Sequence, residues 1–163
     1  MLNNIWKNVK TYTVIHAKMT GFEYDDRIIE ICCVKVSNET IVDTFRTKVN
    51  PVFDEKADKY FDLEKNRLLY ADDSYPSMKE LAPIIFNFAK GTYFVGWNTN
   101  NTLGHIIREG KIDYFKNTIN VKYGDPIENG DLMDNCLKIM TTYERIKKYN
   151  VETYELPKKK YRM

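Results

Sequence analysis

Residues Thr13 to Pro51 read TVIHAKMTGFEYDDRIIEICCVKVSNETIVDTFRTKVNP, and the fold is decided within them. Thr11 to His16 (TYTVIH) is a β-branched and aromatic run, the composition of a buried strand. After the turn signal at Gly21 and a polar stretch, Ile28 to Val36 (IIEICCVKV) forms a second strand whose far end alternates apolar and charged residues. Asn38-Glu39 is a tight hairpin connection. It leads into Ile41 to Val49, with Ile41, Asp43, Phe45, Thr47 and Val49 predicted on one face. Asn50-Pro51 ends that strand, because proline has no N–H for the ladder. Three consecutive strands joined in this way form a meander.

Beyond the meander the period changes from two to about 3.6. Asp54 to Ser74 is charged and irregular, with one helical turn expected near Leu63–Leu69. Ser77-Met78-Lys79-Glu80 is a capping box. It opens a helix that places Leu81, Ile84, Ile85 and Phe88 on one face and stops at Gly91. Pro83 lies inside that helix and removes one donor from it. Thr92 to Trp97 (TYFVGW) reads as a buried strand, and Thr102 to Glu109 as a short helix ended by Gly110. Asp131 to Tyr149 reads as a longer helix with Leu132, Cys136, Ile139 and Met140 at helical spacing.

The chain has 163 residues, 43% hydrophobic and 29% charged, with a net charge of +2. This length and balance fit one globular domain spanning 1–163, with an N-terminal extension over 1–10 and a basic tail over 157–163. The composition excludes collagen-like and disordered classes. No apolar run approaches the ~20 residues of a membrane-spanning helix, and no signal peptide is expected. Cys32, Cys33 and Cys136 have no metal-ligand spacing, and adjacent strand residues face opposite ways. Reduced, packed thiols and a cytoplasmic location are therefore expected. From Lys138 onward eight basic residues face three acids, either a solvated face or a stripe that tracks an anionic partner. Trp6, with Leu2 and Ile5, either packs back on the domain or marks a partner surface.

Several of these pieces resemble one family in order and spacing. Thr20-Gly21, Ile28-Ile29-Glu30-Ile31, Val34-Lys35-Val36 and Val49-Asn50-Pro51 resemble the opening of the DnaQ-like 3′–5′ exonucleases of the DEDD superfamily. Val95-Gly96-Trp97-Asn98-Thr99-Asn100-Asn101-Thr102-Leu103 resembles that family's second motif, Val-Gly-His-Asn-x-x-Phe-Asp. Pro126-Ile127-Glu128-Asn129 and Asp131-Leu132-Met133 resemble the approach to its next helix. The resemblance runs from about Thr11 to Leu156 and implies an α/β fold: an RNase H-like mixed five-stranded sheet flanked by helices.

It also implies a chemistry that this chain does not spell out. Family members hydrolyse a phosphodiester with two divalent metals held by four carboxylates, since hard cations take oxygen ligands. At the first motif's Asp and Glu stand His16 and Lys18. At the second motif's Asp stands Thr102. The third motif, a His followed by an Asp on a last helix, has no counterpart before Met163, so that helix is expected to be missing. The expectation is no catalytic residues, no metal and no cofactor. Glu30 and Asp43 fall where the family has structural residues. His16 and His105 could form a general-base pair or serve structural roles. By resemblance, Met19, Thr20, Trp97 and Asn98 line the region that receives a terminal nucleotide. With Lys158, Lys159 and Lys160 they are the candidate nucleic-acid or partner-binding residues.

The resulting expectation is a pseudo-exonuclease that acts by binding, as an inhibitor or adaptor of nucleic-acid-processing machinery, a phage or mobile-element anti-defence protein being one such case by analogy. A protein partner is expected ahead of nucleic acid itself, and no membrane. The alternatives are a single-stranded nucleic-acid-binding module using the cleft, and a divergent, active metal-dependent exonuclease.

Overall fold

The computed structural model describes residues 9–21, 26–52, 70–113, 117–121 and 131–149. The turn expected near Leu63–Leu69, the Trp6 segment, Pro126–Asn129 and Lys158–Lys160 lie outside the described residues. The elements are β1 (Thr11–Met19), β2 (Ile28–Ser37), β3 (Thr40–Lys48), α1 (Met78–Phe88), β4 (Tyr93–Gly96), α2 (Thr99–Gly110), β5 (Thr118–Asn120) and α3 (Leu132–Tyr149). They build one mixed sheet in the order β3-β2-β1-β4-β5. The meander pairs are antiparallel, whereas β1–β4 and β4–β5 are parallel. This is the mixed five-stranded α/β sheet that the family resemblance implies, and β5 is a strand that local pattern did not reveal.

Alternation along β1 and β2 supplies two separate cores. Ile15, Ile31, Cys33 and Phe94 meet α1 and α2 on one face. Tyr12, Val14, Cys32, Val34 and Val95 meet Leu132, Cys136, Ile139 and Tyr143 of α3 on the other. Cys32 and Cys33 are both fully buried, one in each core, and all three cysteines are free thiols. Each large apolar side chain buried here contributes roughly 1.5–3 kcal/mol.

Local chemistry sets the boundaries. Asn38 and Glu39 both have positive φ (49° and 65°), the conformation of the two-residue hairpin expected there. The alternation predicted for β3 fails at its first member. Lys35 pairs with Asp43 but Val36 with Ile41, so Val42 is an extra, bulged residue. Ile41 therefore turns to the face opposite Asp43, Phe45 and Thr47. In α1 the capping box forms with Ser77 and Glu80 as expected. The buried stripe is Met78, Leu81, Ala82, Ile85 and Phe86, and Ile84 points outward at 51% exposure. The helix starts at Met78, so Met78 joins Leu81 and Ile85 at a spacing that leaves Ile84 off the stripe.

α2 begins three residues before the predicted Thr102, and its last residue is Gly110 itself. The left-handed residue that ends it is Lys111 (φ 51°). Gly110 is needed for close packing instead, because a Cβ there would stand 2.6 Å from the Ala82 Cβ. At the sheet centre Gly96 has the same role. A Cβ on it would stand 2.6 Å from the Ile15 carbonyl oxygen.

Candidate functional site

β1 is longer than its apolar run suggests and continues to Met19, which places both His16 and Lys18 within the strand. They share the α3-side face with Tyr12 and Val14, since alternate strand residues point the same way. A register shift between Lys18 and Met19, opposite Ile28–Glu30, bulges the neighbouring strand at this end. Glu30 pairs with Lys18 in the regular register ahead of the shift, so the two share a face.

His16 is half-buried and meets Trp97 edge-on, with ring centroids 5.5 Å apart and planes at 90°. Burial holds the His16 imidazole below its ordinary pKa, so it is neutral at physiological pH. Trp97, at the end of β4, packs against the α3-side core. Its indole Nε1 is buried with no hydrogen-bond partner among the described residues. Asn98 follows in the left-handed conformation (φ 49°, ψ 46°) with an exposed side chain. Thr102 lies in the first turn of α2, its N–H bonded to the Asn98 carbonyl at 3.2 Å. The start of α2 is fixed by Asn120, whose Oδ1 accepts from the Thr99 N–H at 2.7 Å.

Lys18 is exposed and stands opposite Glu30 in the ladder. The Glu30 carboxylate is engaged from the other side, where Arg46 Nε and Nη2 donate to Oε2 at 3.0 and 2.9 Å. Arg46 Nη1 also donates to Asp131 Oδ2 at 2.8 Å, and its Nη2 to Asp131 Oδ1. The guanidinium thus bridges β2 and the start of α3. Its hydrogen bonds hold the Asp131 carboxyl below the usual range.

Met19 ends β1, and Thr20 is tied to the residues just before β2. The Thr20 hydroxyl donates to Asp26 Oδ1 at 2.5 Å and accepts from the Arg27 N–H at 3.0 Å. Gly21 lets Asp26 approach, since a Cβ would stand 2.5 Å from Asp26 Oδ2. The Thr20 side chain is thereby committed to Asp26 and Arg27.

His105 does not pair with His16. It is buried on α2, with Nδ1 3.4 Å from Glu109 Oε2. Glu109 accepts the N–H of Ile28 at 3.1 Å, which anchors the start of β2. Burial pushes the Glu109 carboxyl up, partly offset by hydrogen bonds from His105 and Ile28. A structural role accounts for both groups. Sequence reasoning missed Arg46, Asp131 and Glu109 as partners. Arg46 and Asp131 are 85 residues apart, and only the register of β3 brings them together.

A divalent pair needs hard, anionic oxygen ligands. The three positions brought to this end of the sheet offer a neutral imidazole, an ammonium and a hydroxyl, a donor set that does not fit such a pair. Among the described residues no three His, Cys, Asp or Glu side chains cluster as a metal site.

The profile of the RNase_T exonuclease family matches residues 14–159. The chain belongs to this exonuclease family. A DNA polymerase III of the PolC type from Caldanaerobacter subterraneus subsp. tengcongensis is 30% identical over 145 residues, covering 87% of this chain and 9% of the polymerase. The structure of zinc-bound E. coli exonuclease I with single-stranded DNA superposes with a TM-score of 0.61 at 11% identity, covering 89% of this chain and 42% of that one. E. coli exonuclease I with a 5cy-dT13 oligonucleotide gives 0.59 at 10% identity, covering 87% and 41%. This exonuclease-family chain therefore spans less than half of the exonuclease I chains and a small fraction of the polymerase. The structural likeness establishes the DnaQ-like, RNase H-like fold. No described helix is long and apolar enough to cross a membrane.

Proposed function

We propose that this exonuclease-family chain acts by binding and not by phosphodiester hydrolysis, as an adaptor or inhibitor of nucleic-acid-processing machinery. The observation that carries the reading is the side-chain set at the end of β1 and the start of α2: His16, Lys18 and Thr102. An ammonium ~4 Å from a divalent ion is repelled by about 8 kcal/mol at an effective dielectric of 20, twice the unit-charge figure. Lys18 is exposed and can swing outward, so the realised penalty is smaller. The site would still have to gather its ligands from elsewhere.

A protein is favoured as partner because the net charge of +2 gives no overall polyanion-binding field. The second reading is a single-strand binder. It is favoured by exposed Asn98 beside Trp97 at the strand ends, and by the single-stranded DNA named in the E. coli exonuclease I structure. Incubation with 3′-labelled single strands and Mn²⁺ tests the first claim, and no shortening is expected. Digestion that is abolished by a chelator would overturn it. Affinity capture with nuclease treatment separates the two partners. Retention of the captured partner after nuclease supports a protein. Steeply salt-dependent oligonucleotide binding that is lost in Trp97→Ala supports the single-strand reading.

A further inference from the structure

We propose that β3 is a self-pairing edge, through which two copies of this chain join antiparallel across a two-fold axis centred on Phe45. In the sheet order β3 has β2 as its one neighbour among the described residues, so one line of its N–H and C=O groups faces outward. Edge strands are commonly short or broken by proline. β3 instead runs for nine residues, TIVDTFRTK, without proline and rich in β-branched side chains. Apolar surface lies along this edge on both faces of the sheet. Ile41, on the α3 side, and the bulged Val42 are 40% and 54% exposed. On the α1 side half-buried Phe45 meets Phe88 with ring centroids 6.0 Å apart, and exposed Ile84 stands one turn before Phe88.

Charge and the bulge select the register. A two-fold axis normal to the sheet pairs residues of like face, so its ladder is centred on a residue. Centred on Asp43 or on Arg46, the ladder sets that charge directly against its copy, which is unfavourable. Centred on Thr44, it brings Val42 into the ladder opposite Arg46, where the extra residue breaks the pairing. Centred on Phe45, it uses the regular stretch from Asp43 to Thr47. Phe45 then faces the Phe45 of the second copy, Asp43 faces Thr47, and Thr44 faces Arg46. The two Phe45–Phe88 pairs join into one apolar strip. Each Arg46 stands diagonal to its copy, but its charge is already met by Glu30 and Asp131. The remaining charges of the strand, Asp43 and Lys48, are of opposite sign, so the edge does not select a polyanion. A second copy matches it in both side chains and backbone.

One strand pair buries less than the ~1,600 Å² of a standard interface, so a dimer in the micromolar range is expected. Sedimentation of the full chain from about 5 to about 500 µM should show a mass rising towards twice that of one chain. In the same samples, amide exchange over Asp43–Thr47 should slow as concentration rises. Thr47→Asp sets like charges opposite each other at two symmetric places and should weaken association about tenfold. Adding Asp43→Lys makes both places opposite-charge pairs and should restore association to within about threefold of the wild type. Within one chain residues 43 and 47 lie ~13 Å apart, so this rescue reports on the second copy. A chain that stays monomeric at every concentration overturns the proposal and leaves the edge to a strand of another protein. Exchange over β3 that is equally slow at every concentration also overturns it, since a segment of the same chain then fills the edge. So does a dimer whose affinity neither substitution changes, because it pairs through another face. The wild-type sedimentation and exchange decide the matter even if Thr47→Asp fails to fold.

Discussion

Gly96→Ala is the most demanding test of the sheet centre. The added Cβ would stand 2.6 Å from the Ile15 carbonyl oxygen, where ordinary contact begins at 3.4 Å, and 3.3 Å from Thr99 Oγ1. The first neighbour is backbone in the middle of β1 and cannot rotate away. Relief requires β4 to move off β1 by about 0.8 Å, which strains the parallel pairing of Tyr12–Val14 with Tyr93–Val95. Overpacking of this kind costs about 1–3 kcal/mol, and disturbed ladder bonds carry the total to about 2–4 kcal/mol. Urea unfolding followed by tryptophan fluorescence reads this as a lowered midpoint with an unchanged slope. Gly91→Ala is the control. It faces open space and pays only for φ +78°, about 1 kcal/mol. Equal midpoints for Gly96→Ala and the wild type would refute the close approach of β4 to β1, and with it the placement of Trp97 beside His16.

His16 makes stability depend on pH. Its folded pKa lies below the unfolded 6.5, so the unfolded state binds more protons just below pH 6.5. Stability is full above that pH and declines as pH falls towards the folded pKa; His16→Phe is expected to flatten this part of a melting-temperature profile. Trp97 fluorescence should change with a midpoint below 6.5 in the wild type, and the change should vanish in His16→Asn. Tyr12→Phe removes the 2.6 Å hydrogen bond to Glu144 Oε2, and a loss of about 1.5–2 kcal/mol is expected in chemical denaturation. Lys147→Met removes both the 2.8 Å bond to the Val9 carbonyl and the 3.1 Å pair with Glu144. A comparable loss is expected, with faster hydrogen exchange at the start of β1.

Much of the fold was legible in local pattern. The meander, the Asn38-Glu39 hairpin, the Ser77–Glu80 capping box and the stripe of α3 each follow from period and turn chemistry, which act over a few residues. The misreadings have physical causes as well. Ile41 was placed on the face of Asp43, and Ile84 on that of Leu81, because alternation and helical phase were projected without the Val42 bulge or the Met78 start. Gly110 was read as a stop signal, yet its lack of a side chain serves Ala82 across the helix pair. At the candidate site, His16, Lys18 and Thr102 were singled out by the family resemblance, since no spacing of their own marks them. The Arg46 bridge could not be read in advance, because a guanidinium chooses its carboxylates by register and docking, which emerge only once the sheet has formed.

The sheet is also a partition. Cys32 and Cys33 are covalent neighbours, yet they belong to interiors that share no side chains, whereas Cys32 and Cys136 touch across 104 positions. Proximity along the chain is thus a poor guide to energetic coupling here. Substitutions at Cys33 and Cys136 should combine additively, while those at Cys32 and Cys136 should not. Divergence on one side can then proceed without compensation on the other, so that the α1–α2 layer and the α3 layer are free to change at different rates.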